Sequence, residues 1–235
     1  MIRAKILSLG LPLLMLATTA HAGLFTFQTA AGATESGGNP VSASANITTA
    51  NGTMTITLNN LLVNPTTVAQ NLSDFSFVLS GTTSLGSLGT NTGQEITVAA
   101  NGTATTGSTV ATGWIFSSPS AGTYLLDALG AGGAGPEHTI LGAPGAGGIY
   151  TNANGSIAGN DPHNPFLNQS ATFTLNISGV TTSTTVSNVL FSFGTVSGNN
   201  VPGGGNNSTV PEPVSLSLVG GGLLALGLLR KRLPR

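Results

Sequence analysis

The chain has 235 residues, of which only 6% are charged, and it contains 34 Gly, 12 Pro and no Cys. The absence of Cys excludes disulfides, a Cys-ligated zinc site and a thiol nucleophile. All six Lys and Arg residues lie near the termini, and the stretch from Gly23 to Val210 contains six acids and no Lys or Arg, so its net charge is −6 with His neutral. Because nucleic-acid binding requires cations that displace phosphate counterions, this stretch excludes nucleic acid as a partner.

The first 22 residues have the three parts of a secretory signal. These are a basic start (Arg3, Lys5), an apolar run (Ile6 to Ala17) and a small-x-small cleavage pattern (Ala20, His21, Ala22). Pro12 in the apolar run disfavours a buried helix of the folded domain. We therefore expect residues 1–22 to be a cleavable signal helix, which signal peptidase removes before Gly23.

The middle of the chain alternates apolar residues with Thr, Ser and Asn, a pattern typical of half-buried strands. The clearest runs are Phe75 to Leu79, Phe173 to Ile177 and Val189 to Phe193. Short strands separated by Gly, Asn and Pro predict an all-β ectodomain over 23–200, an antiparallel β-sandwich of the jelly-roll or Ig-like kind with little helix. The Gly- and Asn-rich stretch 201–209 predicts a flexible linker.

Two Asn-Gly pairs predict hairpins. Asn51-Gly52 suits a two-residue type I′ turn, which pairs residues whose numbers sum to 103. This register places Ile47 opposite Ile56 on one face and Thr48 opposite Thr55 on the other, and a one-residue slip would mix the two faces. The second pair, Asn101-Gly102, predicts a hairpin whose first strand carries Ile96 and Val98.

The C-terminal 26 residues have three parts in a fixed order. They are the motif Val210, Pro211, Glu212, Pro213, the uncharged apolar run Val214 to Leu229, and a basic end that includes Arg230, Lys231 and Arg232. A helix of sixteen residues rises about 24 Å, which is marginal for a membrane whose hydrocarbon core is about 30 Å thick. We expect a single transmembrane helix over 214–229, with the basic end 230–235 as a cytoplasmic stop.

This tail resembles the PEP-CTERM sorting signal, in which Val-Pro-Glu-Pro precedes an apolar span and an Arg-rich end. The resemblance covers residues 210–235 and implies recognition by an exosortase-like membrane enzyme, with processing near Pro211 to Pro213. It also implies transient anchoring in the inner membrane, followed by a place at the cell surface, on the outer membrane or in an extracellular matrix rich in exopolysaccharide. The same module is also catalogued under an ice-binding label.

Several motifs of the middle region suggest chemistry, but each has a simpler structural interpretation. Gly130, Gly132 and Gly135 match G-x-G-x-x-G, but no helical pattern follows, so we expect a loop. The pairs around His138 and His163 would form a metal site only if the fold brought them together, and we expect surface loops.

The aromatic residues Trp114 and Tyr124 would stack on sugar rings if they were exposed. The apolar run around Trp114 favours core packing instead. No G-x-S-x-G nucleophile elbow occurs, and the sequence indicates no metal or other cofactor.

The function that these features favour is an exported, non-catalytic surface or matrix protein associated with exopolysaccharide or biofilm. One alternative is an ice-binding or glycan-binding protein, suggested by the row Thr53-x-Thr55-x-Thr57, although ordered ice-binding faces need such rows repeated at strand spacing. A second alternative is a secreted carbohydrate-active enzyme, since paired carboxylates are possible among the six acids.

Overall fold

A computed structural model describes residues 22–81, 84–151, 153 and 155–208 of the chain. Residues 1–21 of the expected signal helix and the whole sorting segment 210–235 lie outside these residues. So do the residues named there: Ala20, Val210, Pro211, Glu212, Pro213, Arg230, Lys231 and Arg232. Within the described part, no helix has the length and apolar character needed to span a bilayer.

The described part is all-β, as the sequence predicts, and its regular elements are twelve strands and two short 3₁₀ turns. The strands are β1 (Gly23–Thr29), β2 (Ala43–Ala50), β3 (Thr53–Asn60), β4 (Leu72–Leu79), β5 (Ser87–Val98), β6 (Ala104–Ala111), β7 (Ile115–Ser120), β8 (Thr123–Asp127), β9 (Ile140–Leu141), β10 (Phe166–Asn176), β11 (Val186–Phe193) and β12 (Asn200–Ser208). The 3₁₀ turns are Val68–Gln70 and Ala146–Gly148. The three predicted runs fall in β4, β10 and β11, apart from Ile177, which follows β10.

The strands form one hydrogen-bonded sheet that closes into an eight-stranded barrel with extra strands, in the order β10-β3-β2-β1-β12-β11-β4-β9. The short strand β9 closes the ring because Ile140 pairs with Leu167 of β10 on one side and with Leu72 of β4 on the other. The β5-β6 hairpin extends from β10, and the β8-β7 hairpin extends from β4. The predicted two-sheet sandwich is not confirmed, because all the strands belong to this one sheet.

The barrel is filled by the inward side chains of its strands. Aromatic rings dominate, and Phe75 contacts both Phe77 and Phe191, with ring centroids 5.5 and 5.3 Å apart. The largest fully buried side chains of this core are Phe25, Phe75, Phe77, Phe173, Phe191 and Phe193, together with Tyr124 of the adjoining β8, whereas the buried Phe166 belongs to a second, smaller cluster. Since successive side chains of a strand point to opposite faces, filling the interior with these rings fixes which residues face outward.

The register predicted for the first hairpin is confirmed. β2 and β3 pair Ile47 with Ile56 and Thr48 with Thr55. The predicted type I′ turn is wrong, because only Gly52 has a positive φ, +75°. The turn is instead tied to the loop after β10, since the Gly52 N–H donates to Val180 O (2.8 Å) and the Gly52 carbonyl accepts from Ile177 N (3.0 Å).

The second predicted hairpin is also confirmed. Ile96 and Val98 lie on β5 and pair with Thr106 and Ala104 of β6. Gly102 in the connecting turn has φ +82°.

Residues 201–208, predicted to belong to a flexible linker, lie in strand β12 between β1 and β11. The glycines follow from packing against aromatic rings. A Cβ atom on Gly205 would lie 2.2 Å from the ring of Phe27, and one on Gly203 would lie 2.7 Å from the ring of Phe191. The composition that resembles a linker is therefore the composition of a strand that has no space for side chains at Gly203 and Gly205.

Candidate functional site

Four neighbouring strands, β1, β2, β3 and β10, present an array of hydroxyl and amide side chains on the outside of the barrel. We call it the polar face, and it comprises Thr26, Gln28, Ser44, Asn46, Thr48, Thr53, Thr55, Thr57, Asn59, Ser170, Thr172, Thr174 and Asn176. Strand pairing aligns these residues in rows, since Thr172 lies opposite Thr57 and Thr174 lies opposite Thr55. The rows are about 4.8 Å apart across strands and about 7 Å apart along them.

The polar face carries no charge, because none of the four strands contains a charged residue. Hydrogen bonds across the strands hold some of its side chains in place: Thr57 Oγ1 lies 3.2 Å from Thr172 Oγ1, and Thr26 Oγ1 donates to Asn46 Oδ1 at 3.1 Å. A hydroxyl has one donor and two acceptor sites, so a hydroxyl in one such bond can still bind a ligand. Leu24, 41% exposed on β1, adds an apolar contact at one side.

The sequence indicates only part of this array. The row from Thr53 to Thr57 is visible in the sequence. It is isolated there because its cross-strand partners Thr172 and Thr174 are more than a hundred residues away in the chain. The alternation of β10 shows that Thr174 faces outward, but no local pattern shows that β10 pairs with β3. The structure therefore repeats on β10 a row that the sequence shows once.

A second site, which we call the acidic row, lies on the outside of strands β8, β4, β11 and β12. It comprises Asp127, Asp74, Ser192 and Asn200, which are successive partners across the four strands. Cross-strand partners point to the same face of a sheet. The Ser192 hydroxyl donates to Asn200 Oδ1, so four oxygen-bearing side chains lie side by side at one level of the barrel.

Both carboxyl groups of the acidic row are buried, Asp74 at 2% exposure and Asp127 at 6%. Burial, a hydrogen bond with Asp127 and the charge of Asp127 together raise the pKa of Asp74 to about 8, against a smaller opposing effect of the Gly198 N–H. Asp127 Oδ1 accepts from the N–H groups of Leu129 (2.6 Å) and Gly130 (3.0 Å). At neutral pH Asp74 therefore holds a proton.

Next to these carboxyl groups lies a cavity of about 210 Å³. Asp74, Asp127 and Ser192 line it, together with Ser197 and Gly198 of the loop between β11 and β12. Oδ1 of Asp74 is buried and has no hydrogen-bond partner. An unpaired buried acceptor costs roughly 1–3 kcal/mol, and more when it is charged, so this oxygen is the least satisfied part of the row.

Sequence reasoning missed the acidic row because its members are far apart in the chain. The one local signal was Asp74 itself, an acid directly before the alternating run from Phe75, where alternation places it on the outer face. Nothing near Asp74 indicates that Asp127 and Ser192 are its neighbours.

Glu35 is a third buried acid, and it organises a turn. Its carboxylate accepts hydrogen bonds from Gly37 N (2.6 Å), Asn39 N (2.9 Å) and Asn199 Nδ2 (3.1 Å). Burial opposes ionisation, but these bonds and that from the Asn39 side chain outweigh it and lower the pKa of the Glu35 carboxyl. The turn is thereby fastened to the loop between β11 and β12.

The two histidines predicted to be loop residues have separate hydrogen-bond partners. His138 contacts Glu95 Oε1 through Nε2 (3.2 Å) and Thr112 O through Nδ1 (3.0 Å). His163 Nδ1 lies 2.7 Å from Ser156 O. Among the residues that the structure describes, no three His, Asp or Glu side chains group as metal ligands.

The glycine motif and the aromatic residues have structural roles. Gly130, Gly132 and Gly135 lie in the turns after β8, with no helix following. Trp114 is buried against Phe173 with its Nε1 donating to His138 O (2.8 Å). The expected core packing of Trp114 is therefore confirmed. Tyr124 is also fully buried, so neither ring offers a face for sugar stacking.

No protein-family model, curated protein or solved structure matches this chain. The class that the fold and sites define is an all-β barrel with two distinct outer faces, one polar and uncharged, the other acidic. What each face does has to be inferred from its own chemistry.

Proposed function

We propose that this protein is an exported, non-catalytic surface or matrix protein whose polar face holds neutral polysaccharide. The observation that carries the proposal is the aligned array of uncharged hydroxyl and amide groups on four neighbouring strands. Such groups hydrogen-bond sugar hydroxyls without the cost of removing water from an ion. Each contact is weak, but a polymer makes many at once, so the effective affinity rises with polymer length.

The charge distribution supports a neutral ligand. The chain from Gly23 to Val210 has no Lys or Arg, so it offers no electrostatic attraction to anionic polymers. A cationic ligand would favour the acids, and none lies on the four strands of the polar face. Hydrogen bonding is the interaction that remains.

The non-catalytic assignment is supported by the use that the described titratable side chains already have. Glu35 holds a turn, and Glu95 contacts His138. Among the described acids, Asp74 and Asp127 form a close pair, and their carboxyl groups bond each other and nearby backbone N–H groups.

Export and sorting belong to the same proposal and depend on the resemblance of residues 210–235 to the PEP-CTERM signal. Signal peptidase and an exosortase-like enzyme are the processing partners that this implies. The test is cell fractionation, with mass spectrometry of the mature termini, of the natural chain and of a variant lacking Pro211 to Pro213. We expect the variant to remain in the inner membrane with its C-terminus intact; recovery of the natural chain from the cell interior with both termini intact would contradict export.

Binding by the polar face is tested with the full-length chain on an array of neutral and anionic glycans. The double variant Thr55→Arg/Thr174→Arg adds bulk and charge at the centre of the face, and we expect at least a tenfold loss of binding to neutral glycans. The matched control is Thr105→Arg/Thr109→Arg on β6, which is exposed and outside the face. Equal losses in both variants, or absence of glycan binding by the natural chain, would contradict the proposal.

Ice is a second candidate ligand, favoured by the repetition of the Thr row on β10. Thr55 and Thr57 face Thr174 and Thr172 in register, which is the repetition at strand spacing that a single row lacks. An ice-recrystallisation assay with the same pair of variants separates the two candidates. Inhibition of recrystallisation that Thr55→Arg/Thr174→Arg abolishes, without glycan binding, would assign the face to ice.

A further inference from the structure

We infer that the acidic row is a calcium-binding site. Two buried carboxyl groups, a serine hydroxyl and an asparagine amide oxygen lie side by side across β8, β4, β11 and β12. The site is separate from the polar face and does not depend on the function proposed for it.

Two buried carboxyl groups side by side need a compensating positive charge. Buried carboxylates are paired with cations, coordinate metals or become protonated. The chain between Gly23 and Val210 has no Lys or Arg, and His138 and His163 are bonded elsewhere. The positive charge at the row is therefore either the proton that Asp74 holds at neutral pH or an ion from solution that displaces this proton.

One oxygen of the acidic row has no partner in the protein. Asp74 is only 2% exposed and lines the 210 Å³ cavity. Its carboxyl group bonds Asp127 and the Gly198 N–H, but its Oδ1 has no hydrogen-bond partner. In the part of the chain that the structure describes, two other buried side-chain oxygens lack a partner, on Thr49 and Asn71, and neither residue lines this cavity. A cation in the cavity would give Asp74 Oδ1 the partner that the protein does not supply.

The kind of ligand atom in the row selects the metal. Each side chain of the row offers oxygen to a cation. These oxygens belong to the carboxylates of Asp74 and Asp127, the Ser192 hydroxyl and the Asn200 carbonyl. Zinc prefers nitrogen and sulfur, whereas calcium takes six to eight oxygens in flexible geometry and magnesium demands a near-ideal octahedron. Neutral oxygens and waters complete the shell, since the row has only two carboxylates.

The cavity and the covering loop provide room and access. A volume of about 210 Å³ exceeds that of an ion with a few waters. Ser197 and Gly198, which line it, belong to the loop between β11 and β12 and are exposed. An ion can therefore reach the carboxyl groups through a surface loop without opening the barrel.

The test is calcium binding by the full-length chain after treatment with EDTA, followed by calorimetric titration and by the thermal midpoint. Sites with two carboxylates in extracellular modules bind calcium with Kd of about 10⁻⁴ to 10⁻³ M. We expect saturable binding in that range, and a rise of the midpoint by about 3 °C in 10 mM CaCl₂. MgCl₂ at the same concentration should give a clearly smaller rise.

Asp74→Asn and Asp127→Asn should each abolish saturable binding and the midpoint shift, whereas Asp161→Asn, an exposed acid outside the row, should retain both. If an acid variant fails to fold, Ser192→Ala and Asn200→Ala test the site with both carboxyl groups in place, and each should weaken calcium binding several-fold. No binding by the natural chain up to 10 mM calcium would overturn the inference. Binding unchanged in all the row variants would overturn it equally.

Discussion

The polar face and the acidic row lie on adjoining stretches of one sheet and meet where β1 pairs with β12, yet their polar groups are satisfied in opposite ways. On the polar face, neutral side chains bond one another or face solvent, as Thr57 and Thr172 do. In the acidic row, two carboxyl groups are buried together and Asp74 Oδ1 has no partner. The difference shows that burial, more than residue type, decides whether a polar group on the sheet surface is left without a partner.

The largest expected effect comes from the junction between the two regions. Gly205→Val on β12 would place side-chain atoms where the ring of Phe27 lies, since even a Cβ would be 2.2 Å from it. We expect a loss of about 3 kcal/mol in the free energy of unfolding, measured by urea denaturation. The matched control is Gly204→Ala, whose Cβ would meet nothing closer than Gln28 O at 3.9 Å.

If Gly205→Val is no less stable than Gly204→Ala, β12 does not pack against the barrel as described. The two faces would then be structurally independent. If both glycan binding and calcium binding are lost together in Gly205→Val, the junction supports both faces.

The second prediction concerns how the acidic row responds to pH in calcium-free buffer with EDTA. Asp74 holds its proton in the folded chain up to pH about 8 but releases it near 3.8 when unfolded. Between these values the folded state binds more protons, so stability falls as pH rises. A tenfold change in proton affinity equals about 1.4 kcal/mol, so we expect a loss of a few kcal/mol between pH 4 and pH 8.

Asp74→Asn should remove most of this pH dependence and be the more stable protein at pH 8. Its side-chain amide can donate to Asp127, as the protonated Asp74 does. The other members of the row, Ser192 and Asn200, do not titrate. A natural chain whose unfolding midpoint in urea is constant from pH 4 to pH 8 would show that the pair is more solvated than the structure indicates.

The two regions also differ in how far they can be predicted from the sequence. The β2-β3 register follows from Asn51-Gly52 and the alternation around it, which are local signals. The pairing of Asp74 with Asp127, and of Thr57 with Thr172, joins residues whose sequence neighbourhoods carry no information about each other. The barrel closure is missed for the same reason, since it depends on the two-residue strand Ile140–Leu141.

The misassigned linker has a different cause. Gly and Asn are common in flexible chains, so 201–209 resembles one by composition. In the structure Gly203 and Gly205 are spaced two apart because alternate positions of β12 face the aromatic interior. The period-two spacing of small residues was present in the sequence, but its meaning depends on knowing that Phe27 and Phe191 lie opposite.

The third prediction uses Glu35, the buried acid whose needs the protein itself meets. Because hydrogen bonds lower its pKa, its contribution to stability is complete above pH 4.5 and is lost as pH falls through the folded-state value. Glu35→Gln should cost about 1 kcal/mol at pH 7 and less at pH 3, as measured by thermal unfolding. This is the opposite sign to Asp74, and a Glu35→Gln variant equally destabilised at both pH values would show that shape, not charge, matters in this turn.

The smallest expected effect on stability is at the polar face. Thr57→Val/Thr172→Val removes the two hydroxyls that lie 3.2 Å apart while it keeps side-chain shape and strand propensity. Both residues are only partly buried, so their hydroxyls contribute little to the stability of the fold. We therefore expect the free energy of unfolding to change by less than about 0.5 kcal/mol.

Binding should separate from stability in this variant. If the face exists to present hydroxyls to a ligand, the same pair of changes should lower glycan affinity several-fold on the array while the urea midpoint is unchanged. The β6 variant Thr105→Val/Thr109→Val, matched in residue type, should change neither quantity. A large loss of stability in Thr57→Val/Thr172→Val would mean that these hydroxyls stabilise the sheet itself and are not reserved for a ligand.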